Sequence, residues 1–497
     1  MSSSFYGLEI AKTGLFISQK AINVSGHNIA NANTVGYTRQ RVISEAIDPA
    51  DYLTRFASAV NGRVGGGARV QSLEQVRDAF IDKELRREYG DMGYWETRND
   101  ALEYIETMFD ETDSSALTKS LNAFINGLKE FSQNPSSQEI RTNLRMAGIT
   151  LTDTFHGYYE QLTEYQSMQN DLVGQAVADI NGRLSNIAAY NDAIMGYELS
   201  GEKANDLRDK RNVELDELSK LVNIEYSYDS DGHLNITSGG QTLLSHTTVN
   251  KLEAETNVTT GFYDVVFESS GTALNYSGGK LEAYRQMRDG ATASDMGIPY
   301  MMNSLNELAK SLAMEMNAIH EQGYTLATST NPSVNGISLF EVPAGGYGDI
   351  TAGNFSLSAE VLADINNFAA SSTKTEVPAD GDNSYHGDAI RALELYELCG
   401  STTLSLTSVT GFQTYLQSFM VDISIEAGHT QTMYNSESAV IDNLETRKES
   451  VSGVSVDEEM VTLIKSQHMY SASSRIMTAI DEALDVLINR TGVVGRS

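Results

Sequence analysis

The stretch NIANANTVGYTRQ, residues 28–40, gathers three Asn, one Gly and one Tyr where an apolar-periodic segment ends. Upstream, Leu8, Leu15, Ile22 and Ile29 recur every seven positions, and the interleaved Ala11, Ser18, Ser25 and Ala32 are all small. That spacing predicts an amphipathic helix with one bulky and one small row. Asn and Gly tolerate the left-handed backbone that closes helices, and Asn side chains can satisfy the orphan polar groups there. The stretch therefore reads as a helix stop followed by a turn.

The other end of the chain carries a second helix of the same kind. Met460, Leu463, Gln467, Tyr470, Ser474, Met477, Leu484 and Ile488 fall on spacings of three and four, with Asp481 the one charge on that seam. Ser455 and Glu458 have the spacing of a capping box, Asp457 to Glu459 suit the positive helix end, and Arg490 with Gly492 mark the exit. Neither helix has a partner nearby in sequence. Burying four large side chains cannot offset the entropy of ordering some two dozen residues, so each helix alone is predicted to be disordered. Spacing leaves two roles open: the pair closes a monomeric core, or it pairs and then docks on neighbouring molecules.

Composition narrows the partners. The 497 residues require more than one core. Lys plus Arg number 35 against 67 Asp plus Glu, a net charge of -32 with no basic stripe, which argues against nucleic acid and against an anionic membrane surface. Cys399 is the single cysteine, so no disulfide framework or thiolate metal site is expected. No apolar run is long enough to span a bilayer, and Glu9 breaks the pattern of a cleaved signal.

GLFISQKAINVSGH (14–27) followed by NIANANTVGYTRQ resembles the amino-terminal signature of the bacterial flagellar axial proteins, the rod, hook and hook-associated class. Asn28, Ala30, Asn31, Thr34, Gly36 and Tyr37 occupy the signature positions, with Val35 where many members have Pro. SGVSVDEEMVTLIKSQHMYSASSRIM (452–477) resembles the closing helix of the same class, with Met460 and His468 in place of smaller residues. NDLRDKRNVELDELSKLVNIEY (205–226), SGGKLEAYRQMRDG (277–290) and LAMEMNAIHEQGYTL (312–326) resemble the hook-associated branch found between hook and filament. The resemblance implies a structural, non-enzymatic role in the flagellum, export by the flagellar type III apparatus without cleavage, self-association in the axial structure, and no cofactor. It further implies, as neighbours, the hook protein and the second hook–filament junction protein, along with an export chaperone. The subunit interface then falls on Leu8, Leu15, Ile22 and Ile29 with Met460, Leu463, Tyr470, Met477 and Leu484.

Between the ends, helical spacing dominates. Leu117, Leu121, Phe124, Leu128 and Phe131 form one seam up to Asn134-Pro135. Seams from Ile140 to Tyr158 and from Val173 to Ile187 predict a rod on the order of 80 Å long. VNIEYSYDSDGHLNITS (222–238) and GFYDVVFESS (261–270) alternate instead and predict a small β insert. The expected fold is mainly α with inserted β, an elongated multi-domain protein. Residues 1–45 with 452–497 form a terminal coiled-coil domain. Residues 46–221, 277–323 and 385–451 form a central long-helix domain, and 222–276 with 324–384 a β-rich insert region. The termini are expected at one tip and the inserts at the other.

The search for chemistry yields no catalytic constellation. NGRVGGGARV (61–70) reads as a Gly-rich hairpin, lacking the Lys-Ser of a phosphate loop. The eight histidines are scattered, and none falls in a ligand pair; His320-Glu321 lacks the second His of a zinc-protease helix. Asp229 to Gly232 fails the calcium-loop spacing and reads as a turn. Trp95 reads as a core aromatic. Two rival roles are an adhesin-like surface module carried on a helical stalk and a secreted enzyme.

Overall fold

The computed structural model describes residues 4–47, 66–109, 116–199, 201–229, 232–328, 331–377, 387–402, 404, 409–486 and 488. The first half of the Gly-rich stretch, residues 61–65, together with Arg490 and Gly492, lies outside them.

Helix α1 (Ser4–Ala30) leads through the signature turn into an antiparallel hairpin, β1 (Gln40–Ala46) and β2 (Ala68–Gln75). Three helices follow: α2 (Ala79–Phe109), α3 (Ala116–Gln133), closed before Pro135 as its seam predicts, and α4 (Gln138–Glu198). The two predicted seams are one unbroken 61-residue helix, about 90 Å long. Ser137 caps it by accepting from the Ile140 N–H. Helix α5 (Asn205–Leu221) runs back beside α4.

The alternating segment gives a four-stranded antiparallel sheet, β3 (Glu225–Tyr228), β4 (Leu234–Ser238), β5 (Gln241–Ser245) and β6 (Thr248–Val249), then the pair β7 (Leu252–Thr256) and β8 (Tyr263–Phe267). Helix α6 (Gly279–Asp289), the short hairpin β9 (Ala291–Thr292) and β10 (Asp295–Met296), and α7 (Ile298–His320) come next. The chain closes with α8 (Ala359–Ala363), α9 (Ile390–Cys399), α10 (Phe412–Ser452) and α11 (Val456–Asp485).

Helix α4 serves two cores. Its first half, Leu144 to Tyr165, packs with α2, α3, α7 and α9 around Phe109, Phe124, Phe155 and Leu312. Its second half, Val173 to Ala188, packs with α5 and the strands around Leu215, Leu234, Ile236 and Leu252. A buried polar seam separates them. Asn170 accepts from the Tyr263 N–H and from Arg288, and Arg288 also donates to the Tyr263 carbonyl.

Residues 324–377 hold isolated bridges and no named strand among the described residues, although that region reads as β-rich in the sequence. Without a ladder, its backbone groups need other partners. Buried side chains supply them: Asn317 bonds the Leu339 and Phe340 amides and the Phe340 carbonyl, and Arg141 donates to the carbonyls of Pro135, Ile365 and Phe368. His320 Nδ1 lies 2.7 Å from the Ile337 carbonyl while Nε2 accepts from the Ala369 N–H, which fixes the neutral tautomer. Burial lowers its pKa to about 4. Cys399 is buried, and burial pushes its thiol up to about 12. Trp95 is half-buried, edge-on to His429 of α10.

The two non-helical regions do not share one tip. Residues 324–377 pack at the start of α4, with Leu357 against Gly148, and β3–β8 pack along its second half, where Asn181 donates to the Leu252 carbonyl and Asn191 to the Leu234 carbonyl. Strands of about five residues must sit where α5 delivers them, beside the last turns of α4.

Candidate assembly surface

Helices α1 and α11 pair antiparallel. A Cβ on Gly7 would lie 3.2 Å from Ile480, and one on Gly14 would lie 2.8 Å from Ser473 Oγ, so the two backbones approach closely because small residues line the contact. The same register sets Ala21 opposite Ser466 and Asn28 opposite Glu459. The small row of α1, Ala11, Ser18 and Ser25, is buried as the heptad pattern implies. The bulky row, Leu8, Leu15, Ile22 and Ile29, flanks the contact and is half-buried.

On α11 the inner row is Glu459, Leu463, Ser466, Tyr470, Ser473, Met477, Ile480 and Leu484. Half of it differs from the sequence reading by one position, at Met460, Gln467, Ser474 and Asp481. Met460 is 51% exposed and Tyr470 38%, while Leu463, Met477 and Leu484 are half-buried. Spacings of three and four counted from Met460 place these four positions one residue too far along the helix. The matching signal was the pair of small residues, Ser466 and Ser473, seven apart like Gly7 and Gly14.

Of the 30 residues in α11, two are buried, Glu459 and Ser466. Val461, Ile464, Met469 and Ile476 are about half exposed, and Phe16 on α1 is 64% exposed. The helices are wound in a single chain, but their apolar side chains are not enclosed by it. Contiguous exposure of this kind marks an interaction surface.

The signature turn fastens this pair to the body. Asn28 is fully buried and acts as a strand partner for Gln40: its Nδ2 donates to the Gln40 carbonyl and its Oδ1 accepts from the Gln40 N–H, at 2.9 and 3.0 Å. The Tyr37 hydroxyl donates to the same Oδ1 at 2.7 Å and, its proton so used, accepts from His27 Nδ1 at 2.9 Å. Burial and the carboxylates of Asp206, Asp209 and Glu459 hold the Tyr37 phenol protonated well above its ordinary range. Asn31 closes the helix by donating to the His27 carbonyl and accepts from the Thr34 hydroxyl. Gly36 has φ +76°, and Val213 of α5 occupies the space of a Cβ there. No L side chain fits both restraints.

Beyond the turn, Thr38 gives both its N–H (3.1 Å) and its hydroxyl (2.7 Å) to Asp209, Gln40 donates to Asp206, and Gln75 of β2 donates to Asp209. Burial raises Asp209 to about 6 despite these donors and the nearby Arg77 guanidinium. Residues 28–40 and 205–213, far apart in sequence, are thus two halves of one joint. Arg39 completes it, donating its N–H to the Ser452 carbonyl and pairing with Glu458 at 3.0 Å. Glu458 therefore makes an ion pair across the joint, and Ser455 caps α11 by accepting from its N–H. Sequence reasoning did not single out Thr38, Asp206 or Asp209 as functional; a neutral hydroxyl and two acids among 67 carry no local signal.

Three family models match the chain. One describes the flagellar hook-associated protein FlgK helical domain (residues 102–335), one the flagellar basal body rod FlgEFG protein C-terminal region (449–490), and one the flagella basal body rod protein (8–38). The chain is 29% identical to flagellar hook-associated protein 1 of Bacillus subtilis over the whole of both chains. It is 25% identical to flagellar hook-associated protein 1 of Salmonella typhimurium, covering 96% of this chain and 98% of that protein. The flagellar hook junction protein FlgK from Burkholderia pseudomallei has a similar fold, with a TM-score of 0.59 at 14% identity over 74% of this chain and all of that one. Over its whole length the chain is thus similar to the flagellar hook-associated protein 1 family.

Proposed function

We propose that the α1–α11 pair is the polymerising element of this protein, ordered loosely in the free chain and locked when neighbouring copies cover its exposed apolar side chains. The family is a structural one of the bacterial flagellum, at the junction of hook and filament, and not an enzyme family. Within that role, the observation that carries the reading is α11 itself, a 30-residue helix with two buried residues and a set of large apolar side chains in solvent. Self-association in the axial structure gives those side chains a place. The joint around Asn28 and Asp209 transmits load between the polymerised pair and the body. Export by the flagellar type III route suits a pair that opens easily, and the hook protein and the second junction protein are the neighbours the family suggests.

Hydrogen exchange on the soluble chain and on assembled junctions tests this. Amides of residues 8–30 and 456–485 should exchange quickly in the free chain and become protected on assembly, while α4 is protected in both. Equal protection of the pair in both states would overturn the proposal.

A further inference from the structure

The strongest unassigned cluster lies where the β insert meets the end of α4. Asp229, His233 and His246 each turn one ligand atom to a common point, the three atoms lying within 4.8 Å of one another. Asp229 Oδ2 is 3.0 Å from His233 Nδ1 and 3.4 Å from His246 Nδ1. Two ligands held at about 2.0–2.1 Å by a tetrahedral ion are separated by about 3.3 Å, close to both Asp229–His separations.

Each ligand is held from behind. Asp229 Oδ1 accepts from the His233 N–H, and Gly232 turns the chain between them. His233 Nε2 lies 3.3 Å from Met195 Sδ on α4, an acceptor for a ring proton on Nε2 once Nδ1 exchanges its hydrogen bond to Asp229 for an ion. His246 has φ +58°, the one left-handed non-glycine residue among those described. Asn235 and the buried Asn191 hold it there by accepting its N–H and donating to its carbonyl. A strained backbone persists only where its surroundings over-determine it. One carboxylate oxygen thus faces two imidazole nitrogens, and a cation that displaced the ring protons between them would find three donor atoms.

We propose that Asp229, His233 and His246 bind a divalent transition cation of the zinc class. Two nitrogen donors disfavour calcium and magnesium, which take oxygen shells, and no thiolate is present to select a softer ion. The His246 side chain is 53% exposed, and a cavity of about 430 Å³ lined by Met195, Glu198, Gly232 and His233 adjoins the site, so solvent reaches the ion and supplies its fourth ligand. Bound there, the ion staples the β3–β4 turn to the β5–β6 turn and both to the end of α4.

The test uses the full untagged chain, freed of metal, titrated with Co²⁺ and then with Zn²⁺. The expected result is one equivalent of Co²⁺ with the visible absorption of a four- or five-coordinate ion, displaced by Zn²⁺. Replacing an outer-shell partner costs about 10- to 100-fold in affinity, so Asp229→Asn, His233→Asn and His246→Asn should each cost at least that. Asn tolerates the left-handed backbone at 246, so a loss there is not a folding defect. His468→Asn on α11 should bind like the parent. If the parent takes up no ion at one equivalent, or if H246N and H468N titrate alike, the proposal is wrong. The site lies apart from α1 and α11, so neither result bears on the polymerisation reading.

Discussion

Helices α4 and α11 are both long and charged, yet 20 of the 61 residues of α4 are buried against two of the 30 in α11. The stripe of α4 is filled by its own chain, Leu144 to Tyr165 in one core and Val173 to Ala188 in the other. The stripe of α11 meets one helix, through Gly7, Gly14 and the small row of α1, and the rest of its apolar surface is bare. One helix is complete in the monomer and the other is half of something. Most helical stability comes from packing an amphipathic face, so the two must differ in how they respond to damage and to neighbours.

The largest test of that contrast is Ile22→Asp. A charge on the half-buried flank of the pair should abolish incorporation into the axial structure while the thermal unfolding of the α2–α10 body is unchanged, because a buried unpaired charge is costly. Normal junctions carrying I22D, seen by electron microscopy, would break the comparison. Next, Leu151→Ala in α4 should cost about 2–5 kcal/mol in urea unfolding, as large-to-small core changes do. Leu463→Ala in α11 should cost under about 1 kcal/mol in the free chain and appear chiefly as weakened assembly.

The joint offers a test confined to one region. Asn28→Ala leaves the Gln40 N–H and carbonyl without partners, and each buried group left so costs about 1–3 kcal/mol. The change should speed exchange across residues 28–46 and leave α4 untouched. The most gradual is a drift with pH. His320 is held neutral with its pKa lowered to about 4, below the ordinary 6.5, so its contribution is fully present above pH 6.5 and is lost as pH falls toward 4. Each pH unit in that window removes roughly 1 kcal/mol from the body. Asp209 has the opposite sign: its pKa is raised to about 6, so its contribution is present below the ordinary carboxylate range and is lost as pH rises through 6. Mild acid should weaken the body while firming the joint, which urea titrations monitored by exchange at each region can separate.

Much of this was legible in the residues because it is local. The seams of α3 and α4, the Pro135 stop, the Ser455 cap and the role of Asn31 in closing α1 follow from spacing and turn chemistry within a few positions. What escaped depended on partners distant in sequence. The register of α11 was set by glycines more than 450 residues away, against the pull of Met460. Residues 324–384 group with the β-rich insert on sequence grounds, but in the described part of 324–377, Asn317, Arg141 and His320 satisfy backbone groups in place of a ladder. His233 and His246 appeared unrelated until the hairpins brought them to one carboxylate.

The contact of Gly14 with Ser473 joins segments made at opposite moments of synthesis. Closing so long a loop adds little free energy, since each doubling of its length costs only about 0.6 kcal/mol. Its effect is on timing. A chain made in order has no mate for α1 until α11 arrives, so the sticky helix pair forms only after the elements between them have emerged.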